Sequence, residues 1–95
     1  MINIRRLIWD EWNVAHIARH SVTPEEVEQV CHTDPVTQKG KKGRLLVFGP
    51  TKNARMLTVI LNSEKGKGVY YPVTAYKASN KLIKIYLNQK GGEEK

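Results

Sequence analysis

Three short segments rich in apolar residues, separated by turn residues, occupy the second half of the chain and constrain its fold most strongly. The first covers residues 45–48 and ends at a Gly-Pro pair, and the second covers residues 55–61. A turn with two glycines at 62–68 leads into the third segment, residues 69–77. Such segments are typical of β-strands, so we predict a mostly antiparallel sheet.

The third predicted strand contains a proline, which limits how it can pair. Pro72 has no N–H to donate to a neighbouring strand, so this strand should lie at a sheet edge or carry a β-bulge. Strict alternation assigns its side chains to two faces, with Val69, Tyr71, Val73 and Ala75 on one and Tyr70, Pro72, Thr74 and Tyr76 on the other.

Helices are predicted from their start signals. Asp10 is a candidate N-cap for a helix that runs to residue 19 or 20. Thr23, followed by a proline and then by Glu26, forms a capping box for a second helix that runs to about residue 31. A third helix is expected from residue 79 or 80 to about residue 89, where two glycines follow.

With a short first strand at residues 3–8 and a polar loop at 37–44, the predicted order is β-α-α-β-β-β-α. This order indicates an α+β fold in which helices pack on an antiparallel sheet. A chain of 95 residues has enough apolar surface for one core, so we expect a single domain over 1–95. Residues 91–95 are expected to be a disordered tail.

The formal net charge of +7 is unevenly distributed, since residues 1–38 carry −3 and residues 39–95 carry +10. A basic half indicates a polyanionic partner such as nucleic acid, although a solvated lysine-rich surface has the same composition. No apolar run approaches the ~20 residues of a membrane span, and the apolar stretch before Asp10 is too short for a signal peptide. We therefore expect a cytoplasmic protein, and Cys31, the lone cysteine, to be a small buried apolar residue.

Histidines spaced one turn apart mark the first predicted helix. Asn13, His16 and His20 fall near one face, an arrangement suited to acid–base chemistry or phosphate binding. The alternatives are that His20 interacts with the helix dipole and that His16 is a packing or surface residue. No third ligand accompanies the pair, so neither a metal nor a cofactor is predicted. Trp9 and Trp12 are expected to anchor the helix to the core.

Three motifs resemble the BrnT family of type II toxins, small ribonucleases related in fold to RelE. The motifs are Trp-Asp at 9–10, Arg-His-Ser-Val at 19–22 followed by Pro-Glu-Glu-Val at 24–27, and Val-Thr-Ala-Tyr-Lys-Ala-Ser at 73–79 with a later tyrosine at 86. The resemblance implies a RelE-like fold, ribonuclease activity that inhibits translation, and a cognate antitoxin with a ribbon-helix-helix domain. It also implies a toxin–antitoxin hetero-oligomer, with a homo-oligomer as the alternative.

The chain departs from that family at several positions, of which two bear most on catalysis. Tyr76 stands where the family tends to have arginine, and Leu82 stands where it tends to have glutamate. These departures favour an alternative function, that of a catalytically inactive relative that binds RNA or an antitoxin.

Metal-independent RNA cleavage needs a base for the 2′-hydroxyl proton, an acid for the leaving 5′-oxygen, and donors for the charge on phosphate. Histidine suits both proton transfers, so His20 is the first catalytic candidate and His16 the second. Tyr76 and Lys77 complete the predicted catalytic set. The predicted RNA-binding residues are Arg19, Arg44, Arg55, Tyr70 and Lys81.

Overall fold

Residues 3–90, which a computed structural model of the protein describes, form three α-helices and one five-stranded sheet. The elements in chain order are β1 (Arg6–Leu7), α1 (Glu11–Ala18), α2 (Pro24–Cys31), β2 (Val36–Lys39), a 3-10 turn (Lys41–Gly43), β3 (Leu45–Pro50), β4 (Met56–Ser63), β5 (Val69–Lys77) and α3 (Asn80–Lys90). The α+β class is confirmed, whereas the predicted tail at 91–95 lies outside the described residues. No helix within 3–90 is long and apolar enough to cross a membrane.

The strand order is β1-β5-β4-β3-β2, and the sheet is mixed rather than antiparallel. The four strands from β2 to β5 are antiparallel, but β1 runs parallel to β5 because two helices connect it to the rest of the sheet. The prediction of a polar loop at 37–44 was wrong over its first residues. Lys39 pairs with Leu45, so the backbone hydrogen bonds of this polar segment are made to β3. The segment forms a strand although it lacks an apolar pattern.

A bulge interrupts β5 where the proline lies. Ile60 pairs with Thr74 and Leu61 pairs with Pro72, which leaves Val73 as an extra residue. Of the two alternatives predicted from Pro72, an edge strand or a bulge, the structure therefore shows the bulge, and β5 lies between β1 and β4. The bulge also makes the strict alternation wrong, because the extra residue changes the phase of the strand and both Pro72 and Ala75 are buried.

The core lies between one face of the sheet and the two N-terminal helices. Its buried side chains from the helical region are Ile17, Val22, Val27, Val30 and Cys31, and those from the sheet and the segment before it are Ile4, Leu7, Leu45, Val47, Leu57, Val59, Leu61 and Ala75. Alternation places Phe48 and Thr58 on the opposite face, yet both are fully buried, and α3 packs against β3. Within 3–90, Thr58 Oγ1 is the one buried side-chain oxygen or nitrogen atom without a hydrogen-bond partner.

Both N-terminal helices begin at the predicted caps. The Asp10 carboxylate accepts the backbone N–H of Asn13, and the Asn13 side chain accepts the N–H of Asp10. Thr23 and Glu26 exchange the same pair of bonds at the start of α2. The bond from the Asn13 backbone, aided by the Tyr71 hydroxyl, lowers the pKa of Asp10. These reciprocal bonds satisfy N–H groups that a helix start leaves free.

Candidate functional site

A buried amide fixes the rotation of α1 against the sheet. Asn13 is fully buried, and its Nδ2 donates to the Ile8 carbonyl at 2.9 Å and to the Pro72 carbonyl at 3.1 Å. The second of these bonds joins α1 to β5 just beyond Tyr70, the last β5 residue paired with β1. Asn13 therefore anchors the helix and does not share a functional face with the histidines.

Four rings form a continuous line across the surface, which we call the ring row: Trp12, His16, His20 and Tyr76. The Trp12 and His16 rings are stacked, with 4.8 Å between centroids and 8° between planes. His16 meets His20 edge-on at 6.0 Å, and His20 meets Tyr76 edge-on at 6.0 Å. The structure thus joins three of the four predicted catalytic residues, two from the α1 region and one from β5.

The ring row is accessible to solvent, with Trp12, His20 and Tyr76 exposed and His16 partly exposed. Trp12 is 56% exposed and Tyr76 is 38% exposed. The expectation that Trp12 anchors the helix to the core was wrong, because α1 buries Asn13 and Ile17 and thereby turns Trp12 outward. Trp9 does pack against the core, and its Nε1 donates to Glu28 Oε2 at 2.9 Å.

Arg55 holds the turn that carries His20. Its Nη1 donates to the Ser21 carbonyl at 2.7 Å and to Glu26 Oε2 at 3.1 Å, and its Nη2 donates to the His20 carbonyl at 3.4 Å. Ser21 adopts a left-handed φ of 60° in this turn. The guanidinium that was predicted to contact RNA is thus engaged by groups of the protein itself.

Arg19 is the predicted RNA-binding residue that lies beside the ring row. It lines a surface pocket of about 320 Å³ together with Trp12, Ala15 and His16. Lys77 does not line this pocket, and its side chain is on the opposite face of the sheet from that of Tyr76, since Lys77 pairs with Leu57 of the core face and Tyr76 pairs with Thr58.

Two other predicted residues lie together at the far end of the sheet. Arg44 and Tyr70 line a pocket of about 370 Å³, and Arg44 Nε donates to Asn62 Oδ1 at 3.1 Å. Tyr70 and Tyr76 are separated by roughly 20 Å along β5, at about 3.3 Å per residue. Lys81 is exposed in the first turn of α3. The candidate residues therefore form a site at the ring row and a separate basic region.

A reactive thiol or a bound metal ion would be a further source of chemistry in such a domain. Burial, reinforced by the negative charge of Glu28, raises the pKa of Cys31 to about 12, so the thiol stays protonated near neutral pH. Its burial confirms the sequence-based expectation. Across residues 3–90, no group of three His, Cys, Asp or Glu side chains is placed to hold a metal ion.

Sequence reasoning missed Trp12 as a member of the site. A local signal existed, since Trp12 and His16 are four residues apart and such pairs meet on a helix surface.

Comparison with known proteins adds nothing to this local geometry: no protein-family model and no curated protein matches the chain.

Proposed function

We propose that the protein is a metal-independent ribonuclease of the type II toxin class, with a RelE-like fold and a cytoplasmic site of action. The observation that carries this proposal is the contact of His20 with Tyr76, because it joins the histidine of one BrnT-like motif to the tyrosine of another. An imidazole and a phenol side by side on an accessible surface supply a proton acceptor and a hydrogen-bond donor to one phosphate.

The reaction consistent with this arrangement is transfer of the phosphate to the neighbouring 2′-oxygen. His20 takes the 2′-hydroxyl proton, the 2′-oxygen forms a bond to phosphorus, and the bond from phosphorus to the 5′-oxygen breaks. Protonated His16, the next ring at 6.0 Å, supplies the proton to the leaving oxygen. Tyr76 and Arg19 stabilise the charge on the phosphate oxygens. The products are a 2′,3′-cyclic phosphate and a free 5′-hydroxyl.

A second candidate function is that of an inactive relative that binds RNA or an antitoxin. The specific observation that favours it is the position of the arginines. Tyr76 stands at the position of the family arginine, and Arg55 donates to Glu26 and to two carbonyls in the turn after α1. Arg19 is then the remaining candidate for a phosphate-binding guanidinium next to the ring row.

Both functions include a protein partner. An antitoxin, with a ribbon-helix-helix domain as the resemblance implies, would bind the toxin and block its site. Co-expression with the product of the adjacent gene, followed by copurification, tests this partner independently of cleavage. A protein that purifies alone when its neighbour is present in equal amount would argue against it.

Incubation of the purified protein with total RNA in EDTA tests the ribonuclease. We expect cleavage by the wild type, products that end in 2′,3′-cyclic phosphate, and loss of cleavage in His20→Ala. His32→Ala is the matched control, because His32 is an exposed histidine that pairs with Glu28 at 3.1 Å and lies outside the ring row. Intact RNA with the wild-type protein would refute the ribonuclease, and RNA binding in that case would support the inactive relative.

A further inference from the structure

We propose that the ring row is a stacking surface for single-stranded RNA, on which one base packs against the outer face of Trp12. This inference rests on the proposed function, because it names the form of the substrate that the same site takes. Its first support is the stacked geometry of Trp12 on His16, with an angle of 8° between the planes. One face of the indole is used by the imidazole, and the side chain remains 56% exposed.

A base could stack on this surface without displacing any protein group. Trp12 Nε1 makes no hydrogen bond to the described part of the chain, whereas the Nε1 of Trp9 is held by Glu28. The pocket of about 320 Å³ beside Trp12 is lined by His16 and by Arg19, a cation that attracts phosphate. Aromatic surfaces flanked by cations are the recurring means by which proteins bind single strands.

The direction of the row also fits a strand rather than an isolated nucleotide. From Trp12 the rings continue through His16 and His20 to Tyr76, with successive centroids 4.8, 6.0 and 6.0 Å apart. A base on the outer face of Trp12 has the indole between it and His16, so the strand would pass the ring edge through the pocket lined by Arg19 to bring its next phosphate to the imidazoles. In a duplex the faces of the bases are covered by their neighbours, so this surface selects unpaired RNA.

The two tryptophans allow a direct test. Trp9→Phe leaves Trp12 as the fluorescent reporter, and Trp12→Phe leaves Trp9. Each variant is titrated with a labelled 2′-O-methyl RNA oligonucleotide, which cannot be cleaved because its 2′-oxygen carries no proton, and anisotropy of the label measures binding separately. We expect quenching of Trp12 that saturates together with the anisotropy, and little change in Trp9. A self-complementary 2′-O-methyl RNA, which forms a duplex, should bind at least about tenfold more weakly than the single strand.

Trp12→Ala should weaken binding of the single strand about tenfold or more, since stacking on one aromatic ring commonly contributes that much. Val14→Ala is the matched control, because it also shortens an exposed apolar side chain of α1 but lies outside the ring row. Circular dichroism should show that both variants fold. Equal affinity of Trp12→Ala and wild type, or saturated binding without a change in Trp12 emission, would overturn the proposal.

The outcomes separate this inference from the ribonuclease. Cleavage of natural RNA without a Trp12 response would overturn the stacking surface and leave the ribonuclease standing. A Trp12 response to the 2′-O-methyl strand without cleavage of natural RNA would support the stacking surface and refute the ribonuclease. A Trp12 response to a copurified protein alone would overturn the stacking surface in favour of a protein interface.

Discussion

The ring of Tyr76 lies edge-on to the ring of His20, with 6.0 Å between their centroids. The two residues come from elements far apart in the sequence, and they meet beyond the end of β1, where no third strand covers β5 within the described residues. The contact therefore depends on how α1 is anchored and on the phase of β5. Each of these dependencies leads to a measurable consequence.

Removal of the Tyr76 hydroxyl separates its chemical role from the role of its ring. In Tyr76→Phe we expect kcat to fall by about 100-fold, the loss typical of one hydrogen-bond donor to a developing charge, with little change in KM. Tyr76→Ala should raise KM as well, because the ring is also lost. The measurement is steady-state cleavage of a fluorogenic RNA, with Tyr86→Phe as the control. Full activity in Tyr76→Phe would remove the hydroxyl from the mechanism.

Truncation of the buried Asn13 side chain should lower the free energy of unfolding more than truncation of a surface side chain does. Asn13→Ala leaves the carbonyls of Ile8 and Pro72 without their donor, which we expect to cost roughly 3 kcal/mol of unfolding free energy. Asn13→Asp should cost as much at pH 7, because a carboxylate would face those carbonyl oxygens. Urea denaturation measures both, with exposed Asn88→Ala as the control. A change below 1 kcal/mol would contradict the anchoring role.

Replacement of the buried Thr58 hydroxyl, which has no hydrogen-bond partner among the described residues, should stabilise the protein. Valine has the same shape, so Thr58→Val removes a buried polar atom without a partner and should add about 1 kcal/mol. Thr51→Val is the opposite control, because Thr51 Oγ1 accepts the N–H groups of Asn53 and Arg55. Thermal unfolding should show the two variants shifting in opposite directions. A loss of stability in Thr58→Val would mean that the hydroxyl is satisfied in solution.

The raised pKa of Cys31 predicts a loss of stability at high pH. The thiol titrates near pH 9 in the unfolded chain and at about 12 in the folded protein, so between these values the folded state retains a proton that the unfolded state releases. The stability that the protonated thiol contributes is complete below pH 9 and falls as pH rises toward 12, with a loss of about 3 kcal/mol by pH 11. The difference in unfolding free energy between wild type and Cys31→Ala, measured as a function of pH, separates the contribution of this thiol from the titration of lysines and tyrosines. Parallel pH curves would contradict the assignment.

The turn after α1 should accept glycine at its strained position. Ser21 has a φ of 60°, which side chains disfavour, so Ser21→Gly should raise stability by about 0.5–1 kcal/mol. Ser63→Gly, in the extended backbone of β4, should lower it instead. Chemical denaturation gives both values. A destabilised Ser21→Gly would indicate that the serine side chain, rather than the backbone, supports the His20 turn.

Local signals made much of the fold predictable. The caps at Asp10 and Thr23 and the limits of β5 follow from residues adjacent in the chain, and the structure has them where they were expected. The strand β2 was not predictable in this way, because its polar residues are held by pairing with β3. The phase change at Val73 likewise arises between two strands, since it depends on the register of β4 against β5.

His16, His20 and Tyr76 of the candidate site were predictable from the sequence, whereas the membership of Trp12 and the arrangement of the rings were not. The histidine spacing already indicated His16 and His20 as neighbours. The rotation of α1, however, depends on a buried asparagine, and a polar residue in an amphipathic pattern is ordinarily assigned to the surface. That rotation exposes Trp12. The ion pair of Arg55 with Glu26 was not predictable either, because partners from different elements leave no pattern in the local sequence.

The extra residue in β5 has a consequence for how such a sequence can diverge over time. Substitution at position 76 changes the group offered beside His20 and leaves the strand intact. Deletion of Val73, the extra residue, would remove the bulge and still leave Thr74 opposite Ile60 and Tyr76 opposite Thr58. The bulge therefore lets β5 lose one residue without moving Tyr76 from its place beside His20, whereas the chemistry offered at position 76 changes only by substitution.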